Sequence, residues 1–155
     1  MLFLLTKKNR LTDIFASLFI FLFVYTATSK LLHIERFKAV ISHSPIIHVF
    51  ANLLSWFVPI TELLVSLLLF FRWSREYGFL MSTVILATFT LYITYMILFS
   101  AHLPCSCGGV IEKMNWTQHL IFNIIFFLLS ILGWRITRTM NKDFIAINRT
   151  SRTPV

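Results

Sequence analysis

Apolar residues run in four long blocks along this chain, separated by short polar breaks. The first extends from Leu11 to about Leu32, the second from about His48 to Phe71, the third from about Tyr77 to Ser100 and the fourth from about Trp116 to Ile136. A helix needs about 20 consecutive apolar residues to cross a bilayer, and each block supplies them. Between the first two blocks the pattern changes. Ile34, Phe37, Val40 and Ile41 recur at helical spacing with Glu35, Arg36 and Lys38 between them. That period predicts a short amphipathic helix lying in the membrane interface. Ser44-Pro45 ends it, and Pro45 suits the opening turn of the next helix. Pro59 falls inside the second block, where a membrane helix tolerates it or kinks. The expected fold is all-α: an integral membrane four-helix bundle with a short interfacial helix between helices 1 and 2.

Composition agrees with this pattern. The chain is 57% hydrophobic with 17 phenylalanines, and only 13% of its residues are charged, against about 25% in a soluble domain. A soluble fold of 155 residues has nowhere to hide that much apolar surface. A cleavable signal peptide is the competing reading of the first block, with Ala27-Thr28-Ser29 as its cleavage site, but the apolar run is long for a signal core.

The net charge of +8 raises nucleic-acid binding as a possibility. The basic residues, however, sit at the ends of the blocks rather than in a stripe interleaved with aromatics, and nucleic acid is excluded as a partner. Their distribution is topological. Lys7, Lys8 and Arg10, then Arg72 and Arg75, then Arg135, Arg138, Lys142, Arg149 and Arg152 mark one side; Arg36, Lys38 and Lys113 mark the other. The positive-inside bias then puts both termini in the cytoplasm of a bacterial inner membrane, as a multi-pass protein. Residues 1–10 form a cytoplasmic N-terminus, 11–136 the transmembrane domain and 137–155 a flexible, basic cytoplasmic tail. No internal repeat or low-complexity tract interrupts this plan.

The blocks carry stripes of small and polar residues at spacings of three and four. These are Ser55, Pro59, Glu62 and Ser66 in the second, Thr83, Ala87, Thr90 and Thr94 in the third, and Trp116, His119 and Asn123 in the fourth. Such stripes face one side of a helix, and the interior of a packed membrane bundle accounts for most of them.

The sharpest chemical feature is Pro104-Cys-Ser-Cys-Gly-Gly109, which holds the only two cysteines. The charge bias places it in the periplasm, where disulfides persist. Cys105 and Cys107 can close a disulfide, but the ring is small and strained, and strain makes a bond labile rather than structural. A bridge this local constrains little of the unfolded chain. Gly108 and Gly109 leave the sulfurs accessible, and the start of the fourth helix nearby, with Asn115 or Thr117 as its cap, favours thiolate. Metal binding and inert cysteines are the competing readings. Two thiolates suit copper(I), and His102 and His119 would extend the set toward zinc, but the spacing matches no familiar zinc pattern. The redox reading needs no metal.

Two charges stand inside the apolar blocks. Lys30 is near the outer end of the first and Glu62 is well within the second. Side chains lean toward the N-terminus of their own helix, so the two converge from antiparallel helices despite their different depths. They form either a structural ion pair or a site for moving protons or binding a polar ligand. His119 is the proton-handling candidate nearest the sulfurs. Trp116 reads more readily as an interface anchor than as a platform for a quinone.

Together these residues resemble the methylamine-utilisation MauE family, within the broader DoxX-like group of four-helix membrane proteins. The matching elements are Tyr25-Thr-Ala-Thr-Ser-Lys30-Leu-Leu, Phe37, Ser44-Pro45, Pro59-x-x-Glu62, Phe89-Thr-Leu-Tyr92 and, most specifically, Pro104-Cys-Ser-Cys-Gly-Gly109 followed by Trp116, His119 and Asn123. Thr28 stands where glycine would be expected in relatives. The resemblance implies a role beside a periplasmic thioredoxin-like protein in making or shuffling disulfides, which in the methylamine-utilisation setting serves maturation of the small subunit of methylamine dehydrogenase. The expectation is a component of thiol–disulfide exchange in which Cys105, Cys107 and His119 do the chemistry. Gly108, Gly109, Trp116, Asn123, Lys30 and Glu62 support them. No cofactor is required by the two sulfurs; onward electron transfer would use a quinone or another protein. The alternatives are a non-catalytic scaffold for a redox partner and a copper-binding membrane protein.

Overall fold

A computed structural model describes residues 2–42, 48–99 and 115–150. All of its elements are helical: α1 (Leu2–Leu32), α2 (Ile34–Ser42), a 3-10 turn (His48–Phe50), α3 (Ala51–Phe70), α4 (Arg75–Phe99) and α5 (Trp116–Thr150). Four of them, α1, α3, α4 and α5, are long and apolar enough to cross a membrane. The chain is thus an all-α, four-helix membrane bundle, as the hydropathy pattern predicts.

The helices form a closed ring. α1 packs chiefly against α3 and α4 chiefly against α5, while α3–α4 and α1–α5 contacts complete the circuit and α2 lies against α3. Neighbours are antiparallel. Asp13, near the start of α1, pairs with Arg72 and Arg75 just past the end of α3. Glu76, at the start of α4, accepts a hydrogen bond from Asn141 late in α5. One end of the bundle therefore gathers the beginning of α1, the α3–α4 turn and the latter part of α5. The opposite end carries α2, the 3-10 turn and the beginning of α5.

The interior is dominated by aromatic contacts. Phe19 is fully buried at the centre of a cluster with Ala16, Phe23, Val65, Leu69, Phe79 and Leu86. Its ring meets Phe79 edge-on at 5.9 Å and Phe126 at 5.5 Å, arrangements that the ring quadrupole favours. Phe21, Leu32 and Leu91 are each more than 70% exposed, which is how a helix presents itself to lipid rather than water. Thr28 is likewise on the exposed face, so its side chain crowds no helix contact.

Buried hydroxyls return to their own helices, since the hydrocarbon offers no water to bond. Ser66 donates to the Glu62 carbonyl, Ser82 to Gly78, Thr83 to Phe79 and Thr137 to Gly133. Thr83 and Ser130 also meet across α4 and α5 at 2.9 Å. α3 stays helical through Pro59. Its last carbonyls are taken up by the turn that follows: Ser74 Oγ donates to Leu68 at 2.7 Å and Arg75 Nε to Leu69 at 3.3 Å.

Two features depart from the sequence pattern. α5 continues past Ile136 to Thr150, so the tail expected to be loose is helical to that point, and α1 is already helical at Leu2. Hydropathy marks where the bilayer stops, whereas a helix stops where proline, glycine or a cap interrupts it, and residues 137–150 contain neither proline nor glycine. The stripe in the third span is also displaced. Thr83, Ala87, Thr90 and Thr94 are half-buried, and the deepest face of α4 runs through Gly78, Phe79, Ser82, Leu86, Ile93 and Met96. In contrast, Ser55, Pro59, Glu62 and Ser66 are all buried in α3.

Of the two described glycines the closer approach is at Gly133, where an added Cβ would lie 2.6 Å from the Phe79 ring. Replacing Gly133 with Leu is expected to destabilise the bundle by about 1–3 kcal/mol, the usual cost of overpacking a filled interior. The lipid-facing Ile121→Leu should change it little. Denaturation in detergent, followed by circular dichroism, measures both.

Candidate functional site

Lys30 is where the helices converge. Its Nζ donates to both oxygens of the Glu62 carboxylate, at 2.8 and 3.1 Å. The Lys30 side chain is 16% exposed and that of Glu62 only 2%. Glu62 stands eight residues before the end of α3 at Phe70, about 12 Å along the axis, well inside the span. Lys30 is two residues from the end of α1. Each side chain leans toward the N-terminus of its own helix, and the four-carbon stem of lysine closes the remaining difference in depth.

Two phenyl rings flank the ammonium. Phe37 of α2 and Phe89 of α4 each have their centroid 5.9 Å from Nζ, close to the outer limit of a favourable cation–π contact, about 6 Å. The Thr26 hydroxyl lies beside the Glu62 carboxylate. His119 of α5 is half-buried and within electrostatic reach of Lys30. All five α-helices thus contribute to the surroundings of one cation.

The beginning of α5 is ordered by its own cap. Asn115 occupies the N-cap position, and its backbone N–H donates to Gln118 Oε1 at 3.0 Å, half of a capping box. This is the cap that the sequence offered as one of two candidates. Asn123 is buried, and its amide donates to the His119 carbonyl at 3.1 Å. The hydrogen bonds of His119 itself to described residues run through its backbone.

The sequence-derived site residues therefore fall into two groups. Lys30, Glu62, His119 and Asn123 stand at one end of the bundle, and Trp116 is the first residue of α5. Cys105, Cys107, Gly108 and Gly109 lie outside the described residues, as does His102. Two partners of Lys30 were not among the site residues read from the sequence, Phe37 and Phe89. Neither carries chemistry of its own, and only the ring order of the helices brings them to the ammonium. The first apolar block holds a second charge besides Lys30, which the site residues read from the sequence do not include. Asp13 bonds to Arg75 at 2.6 Å and to Arg72 at 3.1 Å. An acidic residue two positions after the start of an apolar run was the available signal.

A model of the family described as methylamine utilisation protein MauE matches residues 8–136. That range takes in α2 and the greater part of all four spans, and leaves the polar extension of α5 outside. No curated protein and no solved structure matches the chain.

The burial of Lys30 and Glu62 sets a sharp expectation for their replacement. Removing one partner strands the other's charge in a low-dielectric interior, at a cost of about 3–5 kcal/mol. Replacing both with apolar residues of similar size is close to neutral or stabilising. Lys30→Met and Glu62→Leu should each weaken the bundle severely, and the double variant should recover most of the loss. A double-mutant cycle of detergent unfolding checks this; additive losses would show that the pair is not coupled.

Proposed function

Because the chain belongs to the methylamine utilisation MauE family, we propose that this multi-pass membrane protein supports thiol–disulfide exchange with a periplasmic thioredoxin-like partner through Cys105 and Cys107. The observation that carries the reading is a matter of connection. The only two cysteines fall between the end of α4 and the start of α5, the end of the bundle where Lys30, Glu62 and His119 meet.

The chemistry needs only the two sulfurs. The thiolate of one cysteine attacks a disulfide of the partner, forming a mixed disulfide and releasing one partner sulfur, which takes up a proton. The second cysteine then attacks the mixed disulfide. The products are a Cys105–Cys107 disulfide and a partner dithiol, with two electrons passed to the partner. The reverse sequence oxidises the partner. The small Cys-x-Cys ring favours such exchange over a structural role. His119 is the group assigned to carry the thiol proton, since its side chain is not taken up by the hydrogen bonds that hold α5. Gly108 and Gly109 give access to the sulfurs, Asn123 holds the first turns of α5 through the His119 carbonyl, and Trp116 is assigned as an interface anchor. The excess of Lys and Arg at the opposite end supports an inner-membrane orientation with both termini in the cytoplasm and the cysteines in the periplasm.

Thiol trapping in intact cells tests the reading. Cys105 and Cys107 are expected to cycle between oxidised and reduced forms. Replacing the attacking cysteine with serine should abolish the mixed disulfide, and replacing the resolving one should trap it. His119→Asn should slow exchange by about 100-fold, the lower end for a positioned proton-transfer group. If both single cysteine variants still support full partner oxidation, the proposal fails. A fully reduced, unreactive pair would point instead to a scaffold that docks a redox protein.

A further inference from the structure

The end of the bundle opposite Lys30 carries a second charged network, and the proposed exchange does not use it. Asp13 of α1 holds two arginines of the α3–α4 turn, and the two are placed differently. Arg75 is sealed in: its side chain is 12% exposed, it donates to Asp13 at 2.6 Å, and its Nε is bonded to the Leu69 carbonyl. Arg72 is 67% exposed and donates from Nη2 to Asp13 at 3.1 Å. A guanidinium has five N–H donors, and the hydrogen bond of Arg72 to Asp13 uses one of them.

Between these arginines stands Trp73, which is 96% exposed. It sits on the turn that joins two membrane helices, packed against nothing in the bundle. An indole with an apolar body and one N–H donor settles at the level of the lipid headgroups. Arg10 on α1 and Arg135 and Arg138 on α5 are exposed at the same end, and Arg138 lies over the Trp134 ring at 5.2 Å. The acidic groups at this end are Asp13, held by Arg72 and Arg75, Glu76, which accepts from the neutral amide of Asn141 and keeps its charge, and Asp143, against the basic Arg10, Arg72, Arg75, Arg135, Arg138 and Lys142. The result is a surplus of positive charge at headgroup depth.

We propose that the α3–α4 turn is a binding site for an anionic phospholipid of the adjoining leaflet. The lipid phosphate takes the outward N–H groups of Arg72. Asp13 holds the other edge of the guanidinium so that the fork keeps facing the headgroups. Trp73 lies along the glycerol region of the same lipid, and Arg10 adds long-range attraction. Planar, forked donors suit phosphate oxygens better than a point charge does. This site is independent of the redox reading: it leaves the cysteines untouched and would stand if they proved inert.

The test places the protein in nanodiscs of zwitterionic phosphatidylcholine. One brominated lipid is added at a time, phosphatidylglycerol or phosphatidylcholine at equal mole fraction. Trp73 is left as the sole tryptophan of the chain by Trp56→Phe, Trp116→Phe and Trp134→Phe, and is excited at the red edge where tyrosine does not absorb. Brominated phosphatidylglycerol should be preferred at Trp73 by about fivefold, the effect of roughly one well-placed basic residue near an anionic headgroup. Arg72→Gln should remove the preference, and Arg72→Lys should retain part of it. Arg75 keeps Asp13 paired in both, so the turn has the means to stay folded. Should the three Trp replacements disturb the bundle, native mass spectrometry of the otherwise unaltered chain gives the same reading through retained phosphatidylglycerol, compared with Arg72→Gln. Equal quenching by the two lipids, or a preference that survives Arg72→Gln, overturns the proposal.

Discussion

The Lys30–Glu62 ion pair is the contact on which the rest of this bundle turns. A carboxylate 2% exposed and well inside a membrane span is tolerable only if a cation reaches it, and only Lys30 does so among the described ion pairs. That requirement sets the register of α1 against α3, because the ammonium must come down to the level of Glu62. It also recruits α2 and α4, whose Phe37 and Phe89 rings close over the same cation. Apolar side chains alone would leave these helices free to slide, since lipid tails compete with them on equal terms. A buried charge pair removes that freedom, whatever its net contribution to stability.

The other polar groups follow from the same solvent. With no water in the hydrocarbon, hydroxyls bond back to carbonyls one turn earlier, as Ser66, Ser82 and Thr137 do. Such residues bring the helices close without leaving a donor unpaired, and the contact of Gly133 with Phe79 is the limiting case. The aromatic cluster around Phe19 then fills what remains. Specificity in this bundle thus rests on a few polar contacts and on fit, and the hydrophobic effect supplies little of it within the membrane.

How much of this was legible depends on which physical contrast the sequence displays. Water against lipid is a strong contrast, so the four spans and the buried face of α2, Val40 and Ile41, were readable from the pattern. Helix interior against lipid is a weak contrast, because both are apolar. The buried face of α4 was accordingly misplaced by about one position, and the threonines thought to mark it lie at its margin. The polar residues of α3 were readable because a carboxylate and a proline mark that face unmistakably. The Lys30–Glu62 contact was readable from the lean of side chains in antiparallel helices. Phe37 and Phe89 were not, since their meeting at Lys30 depends on the order of helices around the ring, which no local period encodes. The helical extension of α5 is not legible for a different reason: a change in hydropathy marks the edge of the apolar span and not the end of a helix.

The two ends of the bundle now have distinct electrostatic characters. At the α2 end one ion pair, Lys30–Glu62, is internal and joins two helices, while Glu35 and Arg36 of α2 stay exposed. At the α3–α4 turn the ion pair of Arg72 is external, and Arg72 and Trp73 stand in the interface with Asp13 as a backstop. The asymmetry has a mechanical consequence. The outward charges and the exposed indole resist tilting and vertical displacement by holding one end at the headgroups. The other end then has its helix register fixed by the Lys30–Glu62 pair, beside the point where α5 begins. The exchange proposed for Cys105 and Cys107 would require a partner to find its target sulfur at a reproducible distance from the surface. An anchor at one end and a buried charge pair toward the other are sufficient to hold the helices themselves at a constant depth and register.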